Sequence, residues 1–144
     1  MALIASVPAR LRMVVYRRFM LRIATRVARR EKAKALVVGD NLSQVASQTL
    51  DNLRVAYQAT DMTVLAPLIG FNKTETVEWA KKIGTFEISI RPYGDCCTFL
   101  VPKHPETHAK PRMVEEVEAG LDVDGLVRSA YDLAQREILE PDEP

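Results

Sequence analysis

The run Ala35-Leu36-Val37-Val38, closed by Gly39, constrains the fold more than any other stretch of this sequence. It is too short for a helix and lacks the polar alternation of a strand with one wet face, so it reads as a buried strand of a parallel sheet. Thr63-Val64-Leu65-Ala66 is a second β-like run, ended by Pro67. Helix-period segments flank both. From Pro8 to about Arg30, Met13, Tyr16, Met20, Ile23, Ala24, Val27 and Ala28 recur at spacings of three and four, which predicts an inward face. Pro8 suits a first helical turn, where its missing N–H costs nothing. Residues 42–58 read as one helix, with Val45, Leu50 or Thr49, Leu53 and Tyr57 facing inward. Asn72 and Glu75 have the spacing of a capping box, for a helix that Gly84 stops. Phe86 to Ile90 alternates and reads as extended, residues 91–112 as a long loop, and 113–120 and 123–139 as two closing helices.

Helices alternating with strands argue for an α/β sheet with right-handed crossovers. Ligands in such folds bind beyond the carboxyl ends of the strands, here the turns at Gly39 and at Pro67–Gly70. The 144 residues suit one domain with its own core, and 47% hydrophobic residues exclude a disordered or collagen-like chain. The two cysteines, Cys96 and Cys97, are adjacent and make no disulfide framework. No apolar run reaches the ~20 residues of a membrane helix, and no membrane partner is expected. A cytoplasmic setting is the expectation.

The near-neutral net charge of +1 conceals an asymmetry. Residues 1–34 hold eight Arg and two Lys against Glu31, which gives +9, whereas residues 113–144 hold ten acidic residues against Arg128 and Arg136, which gives −8. Arg18, Arg22, Arg26 and Arg29 form a stripe on one helix face. Such a stripe is either a nucleic-acid face or a solvated one, with the two ends of the chain attracting each other.

Several residues invite chemistry. Gly39 sits between strand and helix, where glycine admits a ligand to the backbone or simply makes a tight turn. Cys96 and Cys97 lie in a loop near Arg91, Lys103, His104 and His108, which favour thiolate, although cysteine is also a small core residue. His104 and His108 stand four apart, but Pro102, Pro105 and Pro111 oppose the helix that would let them share a metal, so no metal site is expected. Asp95 reads equally as a base or as a turn residue.

The stretch from Ala35 to Leu53, ALVVGDNLSQVASQTLDNL, closely resembles a signature of the tRNA 4-thiouridine synthetases, also called thiamine-biosynthesis sulfurtransferases, of the PP-loop ATP pyrophosphatase superfamily. Tyr16-Arg17-Arg18-Phe19-Met20, Pro67-Leu68-Ile69-Gly70 with Ile83-Gly84-Thr85, and Ile90-Arg91-Pro92 through Asp95-Cys96-Cys97-Thr98 to Val101–Pro105 agree in order and spacing, so that the resemblance covers about residues 8–118. It implies a partial Rossmann-like sheet of the adenine nucleotide alpha hydrolase type over residues 1–112, followed by acidic helices at 113–144. In this family Mg-ATP adenylates uridine 8 of tRNA, and a persulfide sulfur, from a cysteine desulfurase or another donor, displaces AMP; the same proteins supply sulfur for the thiamine thiazole. By motif match Arg17, Gly39 and Gln48 are nucleotide-contacting positions, and Cys96 is the sulfur-handling cysteine, with Cys97 beside it.

Family members carry a ferredoxin-like segment, a THUMP RNA-binding domain and a Ser-Gly-Gly-x-Asp-Ser PP-loop ahead of this region, whereas this sequence has no Gly-Gly pair. The expectation is an incomplete domain. It would need a PP-loop-bearing partner chain or a homodimer to cover the strand edge, unless residues 1–6 or the C-terminal helices cover it. The alternative is a catalytically inactive remnant that binds tRNA or nucleotide.

Overall fold

A computed structural model describes residues 6–42, 45–92 and 102–138. Pro8 caps a short 3-10 turn, Ala9–Leu11, that leads into α1, Arg12–Arg30. The chain then runs through β1, Ala35–Val37; a second 3-10 turn, Ala46–Gln48; α2, Leu50–Tyr57; and β2, Thr63–Leu65. It closes with α3, Lys73–Lys82; α4, Phe86–Ser89; α5, Pro111–Glu118; and α6, Val123–Asp132. The protein is α/β, as expected.

β1 and β2 pair in parallel, with Leu36 opposite Val64 and Val37 opposite Leu65. Leu36 points toward the helices, where it meets Leu21 and Ala28 of α1 and Ala56 of α2. Val37 points the other way and is 70% exposed, as is about half of Leu65. Helices therefore cover one face of the sheet, and the other presents an apolar pair that no described segment covers. A second core joins Val14, Val15 and Phe19 of α1 to Val55, Val114 and Val127 from α2, α5 and α6. Each such side chain contributes ~1.5–3 kcal/mol relative to an exposed one.

α1 has the predicted length but a different inward phase. Its buried face is Val14, Val15, Arg18, Phe19, Leu21, Thr25 and Ala28, and Met20 is exposed. Arg18, expected on a solvated or RNA-facing stripe, is only 6% exposed. Glu118 of α5 explains it. Arg18 donates through Nε and Nη2 to its two carboxylate oxygens, both at 2.9 Å, and Arg22 donates through Nη1 and Nη2 to the same oxygens, both at 2.7 Å. Arg18 Nη1 also reaches the Val55 carbonyl at 2.5 Å. Arg29 pairs with Asp61, and Arg26 and Arg30 lie over the Tyr131 ring. The basic and acidic ends of the chain thus meet each other.

Three local expectations are corrected. The helix expected over 42–58 is interrupted, because Thr49 is extended and caps α2 by accepting from the Asn52 amide at 3.2 Å, while Asn52 Nδ2 takes the Ala46 carbonyl. Polar side chains that bond nearby backbone divert it from a continuous helix. Val45 and Leu50 are exposed as a result, and Leu53 is buried. Phe86–Ser89 is helical, not extended. It has no strand neighbour among the described residues and bonds locally, Ser89 N–H to Thr85 and Ile90 N–H to Phe86. The last helix ends at Asp132 rather than 139, and exposed residues follow it. The Asn72–Glu75 capping box is present with both bonds, and Gly84, at φ +76°, ends α3 with Thr85 N–H on the Ala80 carbonyl.

Burial pushes the Glu118 carboxyl up, but hydrogen bonds from Arg22 and Arg18 outweigh it and hold it below its ordinary 4.5. A depressed carboxylate stabilises the fold above the ordinary value and loses that contribution as pH falls through the folded one. Glu118→Gln should therefore cost ~3 kcal/mol in urea unfolding at pH 7, since Arg18 is left buried without its counter-charge. The difference from wild type should shrink below pH 4.5. Equal stability at pH 7 would show that the triad contributes nothing.

Candidate functional site

The carboxyl end of β1 runs into Gly39, Asp40 and Asn41, and the chain's polar side chains converge there. Asp40 is 4% exposed. Its two oxygens accept from Arg17 Nη2 of α1 at 2.6 and 2.5 Å, and Oδ2 also accepts from the Tyr57 hydroxyl at the end of α2 at 2.7 Å. Gln48 Nε2, from the 3-10 turn before α2, lies 3.4 Å from Oδ1. The Gln48 side-chain Oε1 accepts from the Asn41 backbone N–H at 3.3 Å. Asn41 ties this turn to the next one, because its Nδ2 donates to the carbonyls of Leu68, at 3.0 Å, and of Phe71. The Leu42 N–H reaches the Ile69 carbonyl at 3.1 Å. The two strand-end turns singled out from the sequence are thus joined directly.

Arg17, Gly39 and Gln48, far apart in sequence, are brought together at this point. A Cβ placed on Gly39 would meet no atom within 4 Å, so no described residue requires glycine there. A site with an arginine, an amide side chain and open space beside a strand-end glycine can take an anionic ligand against its backbone. Burial pushes the Tyr57 phenol well above its ordinary 10.0, and the hydrogen bond to Asp40 adds to that, so the hydroxyl stays a donor at all physiological pH values.

Cys96, with Cys97 beside it, lies outside the described residues. His108 Nδ1 is 2.9 Å from Asp51 Oδ2 on the surface. Tyr57 was legible only as an inward residue. A carboxylate directly after a strand-ending glycine, behind an arginine-rich helix, is the signal that could have marked Asp40. An open groove of about 580 Å³ lies elsewhere, between α1 and the α2–β2 connection, lined by Arg22, Arg26, Arg29 and Asp61. No helix among the described residues is long and apolar enough to cross a membrane.

The profile of the thiamine biosynthesis protein family, ThiI, matches residues 1–123. A probable tRNA sulfurtransferase of Thermus thermophilus is 49% identical over 137 residues, which cover 95% of this chain and 33% of that protein. One from Coxiella burnetii is 44% identical over 119 residues, covering 83% of this chain and 30% of that protein. A 4-thiouridine synthetase, solved as an RNA complex with bound ATP, matches with a TM-score of 0.87 at 44% identity and covers 94% of this chain and 35% of that one. The chain spans about a third of the length of these relatives.

A raised phenol value means that neutral Tyr57 stabilises the fold up to pH 10.0 and that this contribution is lost as pH rises further. Difference titration of wild type against Tyr57→Phe at the phenolate band should isolate one phenol ionising well above 10.0. A phenol titrating at the ordinary value would mean that the hydrogen bond to Asp40 does not form.

Proposed function

The chain belongs to the ThiI family, and from that premise we propose that it is part of an ATP-dependent tRNA sulfurtransferase domain that binds an adenine nucleotide at the carboxyl end of β1. The observation that carries this reading is the convergence of Arg17 and Gln48 on Asp40, beside the open space at Gly39. The nucleotide is Mg-ATP. Arg17 offsets phosphate charge, Gln48 supplies amide hydrogen bonds, and Gly39 lets the ligand approach the backbone.

In this reading the sheet is a portion of a Rossmann-like domain. Its remaining strand, with the pyrophosphate-binding PP-loop, lies on a partner chain or on sequence outside these 144 residues. The exposed Val37–Leu65 pair supports a further covering layer on that face, supplied from the same source, since parallel sheets are buried on both faces. The substrate is uridine 8 of tRNA. ATP adenylates it with release of pyrophosphate, and the outer sulfur of a persulfide, carried by a donor such as a cysteine desulfurase, attacks C4 and expels AMP. The Cys96 thiolate then attacks the donor sulfur of the resulting S–S bond, which releases 4-thiouridine and leaves Cys96 and the donor joined as a disulfide. The same sulfur supplies the thiamine thiazole.

Gly39→Val tests the nucleotide site. It should fold with stability within ~1 kcal/mol of wild type, because no atom lies within 4 Å of the position its Cβ would take, and it should lose most affinity for ATP in calorimetric titration. Unchanged affinity would remove the ligand from this strand end.

Combining the chain with a PP-loop-bearing partner, Mg-ATP, tRNA and a persulfide donor should give AMP and 4-thiouridine, whereas the chain alone should give neither. Cys96→Ala should abolish 4-thiouridine in the combined system. Product from the chain alone would refute the need for a partner, and normal product from the variant would refute the role of Cys96.

A further inference from the structure

Among the described residues, Asp40 is the one carboxylate to which both polar side chains of the proposed nucleotide site connect. It gathers donors from three separate places: Arg17 on α1, Gln48 in the turn before α2 and Tyr57 at the end of α2. The bridge to Arg17 uses Nη2 for both carboxylate oxygens and leaves Nη1 outside it. The Gln48 amide is set in the same way, with Nε2 toward Asp40 and Oε1 toward the Asn41 N–H. Tyr57 donates to Oδ2 and so restricts the rotation of the carboxylate itself.

We infer that Asp40, held by Tyr57, is a positioning residue that sets Arg17 and Gln48 in place before the nucleotide arrives. The inference rests on the nucleotide reading above. Two effects oppose each other at such a pair. The carboxylate partly cancels the charge that draws a phosphate, and it fixes a long side chain that would otherwise have to be ordered on binding. Exposure decides between them. The Arg17 side chain is 17% exposed and that of Asp40 only 5%, so an incoming phosphate meets the guanidinium first, with the carboxylate behind it. Orientation then outweighs repulsion. An asparagine at 40 would turn an amide donor toward at least one of the Arg17 and Tyr57 donors and leave Arg17 without a fixed rotamer.

A double-mutant cycle on ATP affinity tests this, using the chain itself as wild type, Arg17→Gln, Asp40→Asn and the double variant, with circular dichroism to verify folding. Each single substitution should weaken ATP binding about tenfold, the scale of a hydrogen bond to a charged group. The double variant should bind more tightly than the sum of the two single losses predicts, because Asp40 acts in part through Arg17, the remainder passing through Gln48. Strictly additive losses, or Asp40→Asn binding ATP as well as wild type or better, would overturn the inference while leaving the nucleotide reading intact. Wild type that binds no ATP would overturn both. If Asp40→Asn does not fold, Tyr57→Phe serves in its place, with an expected loss of about threefold that is smaller in the Arg17→Gln background. No loss in the wild-type background would refute the positioning role.

Discussion

Much of this structure depends on the rotational setting of one helix. Adjacent residues of α1 are fixed by carboxylates from different parts of the chain: Arg18, with Arg22, by Glu118 of α5, and Arg17 by Asp40 after β1. Neighbouring side chains on a helix diverge by about 100°, so two such anchors leave the helix little freedom to turn. A buried carboxylate that accepts four charge-assisted hydrogen bonds is costly to desolvate and costlier to leave unpaired. The pairing is therefore a constraint on geometry more than a source of net stability. It holds the acidic end of the chain on the basic one and faces Arg17 toward the strand end.

From that setting the candidate site follows. α1 covers the inner face of the sheet through Leu21 and Ala28 and delivers Arg17 to the carboxyl end of β1. Asn41 fastens the Gly39 turn to the Pro67–Gly70 turn, so the two places where an α/β sheet offers a ligand its backbone are one unit. The opposite face of the sheet, with Val37 and Leu65 exposed, is covered by no described segment. Site and open face are supported by the same two strands.

Local chemistry was legible where one short segment decides the outcome. The apolar runs at 35–38 and 63–66 marked both strands to within a residue, and Asn72 with Glu75 marked a cap that forms as written. Legibility failed where a distant partner decides. The helical period of α1 was readable, but its inward phase was not, because arginine belongs in a core only opposite a carboxylate a hundred residues away in sequence. Phe86 to Ile90 alternates as a strand does, yet with no strand beside it among the described residues the backbone closes its own hydrogen bonds as a helical turn.

The sequence by itself determined the α/β class, the alternation of helix and strand from Arg12 to Lys82, and three of the residues at the strand end, Arg17, Gly39 and Gln48. Each belongs to a contiguous pattern: a run, a turn or a family signature. Only the tertiary structure decided that the arginine stripe is largely spent on Glu118, Asp61 and Tyr131, and that Asp40 and Tyr57 join Arg17 and Gln48 at the candidate site. The reason is that burial of a charge is a property of pairs. A lone arginine or aspartate reads as solvent-facing, and the partner that makes burial tolerable appears only when the fold brings the two together.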